Sequence, residues 1–585
     1  MTTRSSDETL PLPPPPLWEV AAPPPNGRVE ELVRALSLPR ALCGILVARG
    51  IGDAEGARAF LRPLLDHLHP PEELTDARKG AVRILRAVDG GEPILVHGDY
   101  DVDGICSTAL LTLWLRHLGG RVTPFVPHRT RDGYDLGPAG VEAARRAGAG
   151  LIVTCDSGIS AHEAVRSAGK IGIDVVVTDH HTPGPELPPA VAVVNPARSD
   201  CSYPNPSLAG AGVAFKLCQL LGRMRGRAFE ELLPYLDLVA LATIADLVPL
   251  RGENRVLVRF GLRALAATQR PGLLALMAVT GKDPSSVDAG SVGFVLGPRL
   301  NAAGRIGDPM DALRLLVTED RDEARVLAEV LEEANRERRE EDARTLEEAL
   351  GRLRATYDPA RDFGLVVEGD GWHPGVVGIV ASRVVDRLHR PAVLVAVDGD
   401  SARGSARSVP SVNLYEAVRD CAPHLRRFGG HRQAAGMDLD AGEIPAFRAA
   451  FNRAVESQLG GTAPRPVLRA DGPLPLEEAT EELHHFLGYM GPFGIGNPRP
   501  TFVPRGARLS GEARVVGGRH LKLRVSAPGG ELDAIGFGLA ERVSPADVGR
   551  GPVDILFHLR DNEYRGVRSL QARLVDLRPA RGDEA

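Results

Sequence analysis

The chain has 585 residues, too many for one hydrophobic core, and at roughly one domain per 100 to 200 residues this length predicts three to five domains. Its formal net charge of −6 neither identifies nor excludes a nucleic-acid-binding protein, because whole-chain charge averages over local sites of opposite sign. The six cysteines form no C-x-x-C pair, which argues against zinc ribbons and disulfide frameworks and favours a reducing cytoplasm.

The first residues are rich in proline, and the run from Pro11 to Pro16 is interrupted only by Leu12. We predict that residues 1–27 form a disordered tail. Neither this tail nor any later segment has the pattern of a signal peptide or of a membrane-spanning helix. The sequence therefore predicts a cytoplasmic protein with no membrane partner.

Short β-branched segments alternate with alanine-rich helical segments from about residue 93 to residue 196. Strands are predicted at 93–97, 151–155, 174–178 and 191–194, with helices at 105–118, 138–147 and 160–168. This alternation is typical of βαβ units, which form an α/β fold with a parallel sheet buried on both faces. Ligands of such sheets collect beyond the C-terminal ends of the strands.

Acidic residues and histidines follow these apolar runs, and Asp246 closes a further apolar run, residues 238–245. Each carboxylate is therefore expected to occupy an equivalent position, at or near the C-terminal edge of the sheet. The residues expected there are His97, Asp101, Asp103, Asp156, Asp179, His180 and Asp246.

One aspartate at a strand end is most often a turn former or a helix N-cap. Several carboxylates together repel one another unless cations neutralise them, so the set as a whole predicts a metal site. The mixture of carboxylates and imidazoles favours Mn²⁺ or Mg²⁺, and there are enough ligands for two ions. Two cations that share a carboxylate could activate a water and hold phosphate oxygens, as in two-metal phosphoester hydrolysis.

His181 need not be a metal ligand. It could contact a phosphate oxygen or protonate the leaving group. The alternative is a structural histidine whose hydrogen bonds are satisfied within the fold.

The middle of the chain is predicted to be mainly helical at residues 208–278, and residues 297–305 are predicted to form a functional loop. Residues 319–356 contain no proline and are dense in charge. They predict a helix of about 55 Å, at roughly 1.5 Å per residue, that bridges two domains.

A second α/β segment is predicted from residue 363 to about residue 459. Alternating polar and apolar residues, as at 521–525 and 553–557, then predict a small β-barrel at the C-terminal end. This region also carries many arginines, which makes it locally basic.

Four motifs resemble, in order, the signature motifs of the DHH phosphoesterase superfamily. They are His97-x-x-x-Asp101-x-Asp103, Thr154-Cys155-Asp156-Ser157-Gly158, Asp179-His180-His181 and Ala245-Asp246. The resemblance implies that one metal is held by His97, Asp101 and Asp156, and the other by Asp103, Asp156, His180 and Asp246. It also implies that Asp156 is the bridge and a catalytic residue, that His181 is catalytic, that Asp179 orients its neighbours and that Asp99 is not a ligand.

Segments in the second half are similar to the DHH-associated domain and to RecJ-type nucleases. They are residues 299–305, 372–383, 404–408, 428–436 and 493–498, the last leading into an OB-fold. Glycine loops let backbone N–H groups approach an anion, and arginine and histidine add donors. The resemblance implies that substrate is bound by Arg129, Asn301, Arg305, Ser405, Arg407, Gly430 and His431.

The RecJ resemblance covers about residues 28 to 580 and implies a single-stranded-DNA-specific 5′→3′ exonuclease that releases 5′-mononucleotides in recombination and repair. It implies a helicase and a single-strand-binding protein as partners, and we expect a monomer. The predicted domains are the tail (1–27), a DHH catalytic domain with a helical lead-in (28–318), the connecting helix (319–356), the DHH-associated domain (357–462), and a linker with the OB-fold (463–585).

Two rival functions stay open. A hydrolase of short oligonucleotides or cyclic dinucleotides would need only the two α/β domains and would leave the barrel without a purpose. A non-catalytic scaffold would be expected to have lost ligands, whereas the assigned ligands are all present.

The chain departs from the RecJ pattern at Gly133-Tyr134-Asp135-Leu136, where that family usually has Gly-Tyr-Gly-Leu. The carboxylate of Asp135 could weaken a phosphate contact or could point to solvent.

Overall fold

The computed structural model of the chain describes residues 10–504, 506–548, 551–564 and 566–580. It divides into two compact units. The first unit comprises Pro23–Asn335 and Thr480–Pro500, and the second unit comprises Met1–Ala22, Arg336–Ala479 and Thr501–Ala585. Over the described ranges, no helix combines the length and the apolar character needed to cross a bilayer.

Helices dominate the chain up to residue 317. In chain order the elements are β1 (Leu17–Val20), α1 (Asn26–Leu36), α2 (Arg40–Ala48), α3 (Ala54–Leu61), α4 (Ala77–Asp89), β2 (Ile94–His97), α5 (Val102–His117), β3 (Val122–Phe125), α6 (Pro138–Arg146), β4 (Leu151–Thr154), α7 (His162–Lys170), β5 (Asp174–Thr178), β6 (Ala192–Val194), α8 (Gly210–Met224), α9 (Leu236–Ala245), α10 (Gly252–Ala266), α11 (Pro271–Val279), α12 (Ala289–Ser291), α13 (Gly297–Ile306) and α14 (Pro309–Val317).

Strands are more frequent after residue 360. The elements are α15 (Arg321–Thr356), β7 (Leu365–Asp370), α16 (Val377–Leu388), β8 (Ala392–Asp398), β9 (Ser401–Arg407), α17 (Leu414–Arg419), β10 (Arg427–Gly430), β11 (Ala434–Asp440), α18 (Ile444–Leu459), β12 (Val467–Ala470), β13 (Gly472–Pro473), α19 (Glu481–Gly488), β14 (Phe502–Val503), β15 (Arg508–Leu509), β16 (Arg514–Val516), β17 (His520–Ala527), β18 (Gly530–Gly536), α20 (Pro545–Val548), β19 (Val553–Tyr564) and β20 (Val567–Pro579).

The first unit is built on a parallel sheet with the strand order β3-β2-β4-β5-β6. Strands β2 and β4 are buried along their whole length, as expected for a sheet covered by helices on both faces. The predicted parallel α/β fold is therefore confirmed. Strand β3 was not predicted, because Val122-Thr123-Pro124-Phe125 is only half-buried and contains a proline that an edge strand tolerates.

Residues 297–305, predicted to form a loop, form helix α13 instead, and the loop prediction is wrong. A π-helical turn, Val292–Leu296, leads directly into this helix, and Pro298 lies in the first turn of α13. Gly297, Pro298 and Gly304 gave the sequence its loop-like character.

Residues 480–500 lie between strands of the second unit in sequence but pack in the first unit. The buried guanidinium of Arg255 donates hydrogen bonds to the carbonyl oxygens of Tyr489, Met490 and Gly491 at 3.0, 2.8 and 2.7 Å. These bonds satisfy a buried cation with backbone dipoles and fasten the segment to helix α10.

The second unit contains a mixed sheet with the order β10-β11-β9-β8-β7, in which β7 and β8 run parallel and the other pairs are antiparallel. Its C-terminal sheet follows the order β13-β14-β19-β20-β18-β17-β15, with β16 paired to β17. The predicted second α/β domain and C-terminal barrel region are confirmed. The predicted connecting helix is α15, which begins in the first unit and ends in the second.

The prediction of a disordered tail at residues 1–27 is wrong for part of the described segment. Strand β1 pairs in parallel with β12, and the indole of Trp18 donates a 2.9 Å hydrogen bond to Asp576. Leu10 is buried in the core of the mixed sheet's domain. Residues 1–9 lie outside the described residues.

Candidate metal centre

The first group of polar residues lies where β2 meets α5. His97 ends the strand, and Asp101 is the N-cap of the helix, its Oδ1 accepting a 3.0 Å hydrogen bond from the Gly104 amide. Asp103 lies in the first turn of α5. Its carboxylate accepts hydrogen bonds from the Gly210 and Ala211 amides, at 2.6 and 2.7 Å. The positive N-terminal end of α8 thus holds Asp103 in place.

Asp156 follows β4 and has a positive φ of 57°. This left-handed conformation costs a non-glycine residue on the order of 1–3 kcal/mol and persists only where the surrounding structure imposes it. The Thr154 hydroxyl closes the loop by donating a 2.7 Å hydrogen bond to the Ser157 carbonyl. A Cβ atom at Gly210 would lie 2.6 Å from Cβ of Asp156, so only glycine lets α8 begin this close to the aspartate.

The Asp179-His180-His181 triplet follows β5, and Asp179 organises the other two residues. Its Oδ1 accepts hydrogen bonds from the His180 amide at 2.7 Å and from the His181 Nδ1 at 2.8 Å. Burial opposes ionisation of this carboxyl, but the hydrogen bonds from His181 outweigh it and lower the pKa of Asp179. The carboxylate therefore orients the two imidazoles.

Asp246 is not at a strand end. It is the C-cap of helix α9, so the expectation that it is placed like the other carboxylates is wrong. An apolar run of this length is compatible with either a buried strand or a buried helix, and the chain forms a helix here. The carboxylate still reaches the sheet edge, where its Oδ2 lies 3.7 Å from His180 Nε2.

The side chains of the strand ends and of α9 converge on one buried region. His180 Nε2 lies 3.0 Å from Asp156 Oδ1 and 3.8 Å from Asp103 Oδ2. Three overlapping groups have ligand atoms within 4.8 Å of one another, namely Asp156 with His180 and His181, Asp103 with His180 and Asp246, and Asp99 with Asp101 and Asp156.

Three placements differ from the ligand set that the resemblance implied. His181 is absent from that set but groups with Asp156 and His180. Asp99, which that set omitted, brings a carboxylate oxygen close to Asp101 and Asp156. His97 belongs to none of the three groups found among the described residues. It is nevertheless fully buried, and neither of its ring nitrogens has a hydrogen-bond partner in the described structure.

The electrostatics of this region favour bound cations. Burial and the neighbouring carboxylates Asp103 and Asp101 raise the pKa of Asp246 to about 8. Burial, followed by the charges of nearby aspartates, also raises the pKa of Asp156. Burial lowers the pKa of His97 to about 4, which keeps the ring neutral and able to act as a ligand. A divalent cation would stabilise the ionised carboxylates that crowd here.

Unsatisfied polar atoms give an independent test of whether a metal fits. Buried atoms that make no hydrogen bond in the described structure include both nitrogens of His97, Asp99 Oδ1, Asp156 Oδ1 and His180 Nε2. The last two atoms lie 3.0 Å apart without the geometry of a hydrogen bond. Such atoms are uncommon in folded proteins, and their clustering among hard oxygen and imidazole donors matches the ligand preference of Mn²⁺ and Mg²⁺.

His181 faces the metal-ligand cluster from one side. Burial by itself would lower the pKa of His181, but the hydrogen bond and charge of Asp179 outweigh it and raise that pKa to about 9. The Tyr134 hydroxyl lies 3.4 Å from His181 Nε2. Sequence reasoning missed Tyr134, although its place in the Gly-Tyr-Asp-Leu motif was a signal.

The residues predicted to bind substrate in the first unit border this cluster. The Arg129 guanidinium lies 5.0 Å from the ring centroid of Tyr100, within the motif loop between β2 and α5. The Asn301 Oδ1 accepts a 3.2 Å hydrogen bond from the Val102 amide, so α13 packs against the same loop. The positive charge of Arg305 acts to lower the pKa of Tyr100, so this cation also lies near the motif loop.

The predicted phosphate-binding residues of the second unit lie on adjacent strands. Ser405 on β9 is paired with Gly436 on β11, which is paired with Gly429 on β10. The Arg407 Nη1 donates a 3.2 Å hydrogen bond to the Ser405 hydroxyl. A Cβ atom at Gly378 would lie 2.8 Å from Ser405 Oγ, so a glycine brings the first turn of α16 close to this pair.

Gly430 and His431 directly follow Gly429 in the chain. Gly430 has a φ of 148° and is paired with Ala435, while the His431 amide donates a 2.7 Å hydrogen bond to the Ala434 carbonyl. Both residues are exposed. Serine, arginine, exposed backbone and a helix N-terminus together provide donors suited to a phosphate.

Three family models match the chain. The DHH family N-terminal domain matches residues 93–243, the DHHA1 domain matches residues 362–457 and the RecJ OB domain matches residues 470–576. The parallel sheet and its Asp-His-His cluster fall within the first match. The fold and the site together place this chain in the DHH class of proteins.

A curated relative, the single-stranded-DNA-specific exonuclease RecJ of Dickeya dadantii, is 41% identical over 93% of this chain and 96% of its own length. The crystal structure of Thermus thermophilus RecJ with Mn²⁺ superposes with a TM-score of 0.83 at 32% identity, covering 97% of this chain and 80% of that one. Its Mg²⁺ complex gives a TM-score of 0.78 at 31% identity, covering 97% and 79%. The chain belongs to the RecJ family.

Proposed function

We propose that this protein is a metal-dependent exonuclease that hydrolyses single-stranded DNA in the 5′→3′ direction and releases 5′-mononucleotides. The observation that carries the proposal is the convergence of three carboxylates on His180, whose Nε2 lies within 3.0 to 3.8 Å of Asp156, Asp246 and Asp103. The RecJ relatives, described as single-stranded-DNA-specific exonucleases, support this choice of substrate.

Two divalent cations, Mn²⁺ or Mg²⁺, would be held by residues of the first unit. One ligand set is His97, Asp101 and Asp156, to which the position of Asp99 adds a further candidate. The other set is Asp103, Asp156, His180 and Asp246. Asp156 would belong to both sets. When bound, the cations supply an activated water and neutralise charge on the scissile phosphate.

His181 donates a proton to the oxygen of the leaving group. Its Nδ1 is committed to Asp179, which leaves Nε2 as the atom that can hand a proton to the departing oxygen. Burial opposes protonation of this ring, but in the absence of cations the hydrogen bond and charge of Asp179 raise its pKa to about 9. Asp179 keeps the ring in the required orientation, as a carboxylate does for a catalytic imidazole.

Each unit carries its own set of donors suited to phosphate oxygens. In the first unit we assign Arg129, Asn301 and Arg305, which border the motif loop. In the second unit we assign Ser405 and Arg407 on β9, Gly430 at the end of β10 and His431 directly after it. Guanidinium groups and backbone amides suit phosphate oxygens and do not read base identity.

The OB-fold region contributes a stacking surface. Phe537 is 52% exposed, and its ring is bordered by the ring of His520 at 5.1 Å and the guanidinium of Arg573 at 4.9 Å. Aromatic faces beside cations bind single-stranded bases with little sequence preference. A hydrolase of short oligonucleotides or cyclic dinucleotides would have no use for this domain.

The cellular setting follows from the substrate. We assign the protein to DNA recombination and repair in the cytoplasm, acting as a monomer. A helicase would supply the single strand, and a single-strand-binding protein would share it.

A time course on single-stranded DNA with Mn²⁺ or Mg²⁺ tests the proposal. One oligonucleotide is blocked at its 5′ end and its matched control at its 3′ end, and products are resolved by size. We expect the 5′-blocked strand to resist digestion and the 3′-blocked strand to yield mononucleotides. Digestion of only the 5′-blocked strand would reverse the polarity, and cleavage of dinucleotides alone would favour the small-phosphate hydrolase.

A further inference from the structure

Three consecutive residues between β3 and α6 lie beside the metal centre and anchor to different parts of the first unit. The Tyr134 hydroxyl lies 3.4 Å from His181 Nε2. Leu136 is buried in the core that packs under the sheet. Between them, Asp135 places its carboxylate against the loop that carries Asp156.

Two hydrogen bonds show that the Asp135 carboxylate points into the structure. Its Oδ1 accepts a 2.6 Å hydrogen bond from the Gly158 amide and a 2.8 Å hydrogen bond from the Leu136 amide. Its φ is 73°, a left-handed value that aspartate and asparagine adopt more readily than other non-glycine residues. The chain therefore holds Asp135 in a position where its carboxylate joins two segments.

The loop that Asp135 contacts contains a residue in an unfavourable backbone conformation. Asp156 has a φ of 57°, and Gly158, two residues later, has a φ of 106°, which glycine adopts without strain. The Gly158 amide donates to Asp135, and the next amide, that of Ile159, donates a 2.9 Å hydrogen bond to Asp179 Oδ2. Two carboxylates from different segments thus bind consecutive amides directly after the proposed bridging ligand.

We propose that Asp135 is a positioning residue for Asp156: its hydrogen bond to the Gly158 amide holds the loop in the conformation that directs the Asp156 carboxylate towards Asp103 and His180. This inference rests on the proposed function, since it assigns Asp135 to the same metal centre. Residues that orient a metal ligand affect metal affinity and turnover more than they affect substrate binding.

The chain allows a clean set of variants. Asp135→Gly removes the carboxylate and also tolerates the positive φ, so it does not add backbone strain. Asp135→Asn keeps a side-chain oxygen that can accept the Gly158 hydrogen bond, and asparagine tolerates the left-handed region. The matched control is Glu142→Gln, which removes an exposed carboxylate from the following helix, where it pairs with Arg145.

The experiment combines a calorimetric Mn²⁺ titration with kcat and KM on a single-stranded oligonucleotide. Asp135→Gly restores the residue that the RecJ pattern usually has here, so we expect Mn²⁺ affinity and kcat each to fall only about 3- to 10-fold, the size expected for one lost hydrogen bond, while KM stays unchanged. Asp135→Asn should recover most of both losses, and Glu142→Gln should behave as wild type.

Wild-type Mn²⁺ affinity and kcat in Asp135→Gly would overturn the inference. So would a rise in KM alone, because that result would place Asp135 in the DNA path. Absence of nuclease activity in the wild-type protein would instead contradict the proposed function, and the Mn²⁺ titration would still test the positioning role.

Discussion

Asp156 combines a strained backbone with contacts to the other proposed ligands, and it belongs to two of the three groups of converging side chains. We predict that Asp156→Ala lowers the rate of DNA cleavage by about 10³-fold or more, because several kcal/mol of charge stabilisation by the cations would be lost. Single-stranded DNA binding, measured by fluorescence anisotropy, should persist.

Asp174 offers the control for this variant. It begins strand β5, at the opposite end from His180, and pairs on the surface with Arg83. Asp174→Asn should therefore cleave DNA at the wild-type rate. Nuclease activity retained by Asp156→Ala would contradict the assignment of Asp156 as a metal ligand.

A variant of His181 can distinguish a catalytic role of this residue from a structural one. We predict that His181→Ala lowers kcat about 10²- to 10⁴-fold, the usual contribution of a positioned general acid, and leaves Mn²⁺ affinity near that of the wild type. Steady-state kinetics and a metal titration on the same sample check this. A loss of thermal stability with unchanged kcat would identify a structural histidine instead.

At the scale of elements, strand β1 fastens the N-terminal segment to the OB-fold region. The Trp18 indole bonds Asp576 at 2.9 Å, and the Arg578 guanidinium lies 3.9 Å from its ring centroid. We predict that Trp18→Ala destabilises the second unit by about 1–2 kcal/mol, the sum expected for one hydrogen bond and one cation–π contact. Thermal unfolding measures this effect.

Leu17→Ala is the matched control, since Leu17 lies in the same strand and is 46% exposed. It should unfold at nearly the wild-type temperature. If both variants, or neither, lowered the midpoint, the contacts of Trp18 would not be what holds β1.

At the scale of the whole molecule, the net charge of −6 opposes the binding of a polyanion, so the affinity must come from local cations. We predict that log K for single-stranded DNA falls linearly with log salt, with a slope of about −3 for roughly four phosphate contacts. An anisotropy titration across salt concentrations measures the slope. A flat dependence would contradict phosphate recognition by the assigned arginines.

Local patterns accounted for much of the fold. The strands β2, β4, β5 and β6 were predictable because a buried parallel sheet needs short β-branched runs. Strand β1 was not, because its hydrogen-bond partners lie 450 residues away at 467–470. Helix α13 was missed because its glycines and proline have the local character of a loop, whereas packing against the Tyr100 carbonyl requires glycine at 304.

Some features of the candidate site were likewise predictable from the sequence, and others depended on the tertiary structure. The sequence by itself determined the chemistry, since strand-end carboxylates and paired histidines are hard ligands whatever their exact arrangement. Only the tertiary structure decided that Asp99 joins Asp101 and Asp156, that Asp246 arrives from a helix, and that Asp135 turns inward to the Asp156 loop. The physical reason is that ligand identity is a property of single side chains. Their convergence depends on how helices and strands pack, and local sequence does not encode that packing.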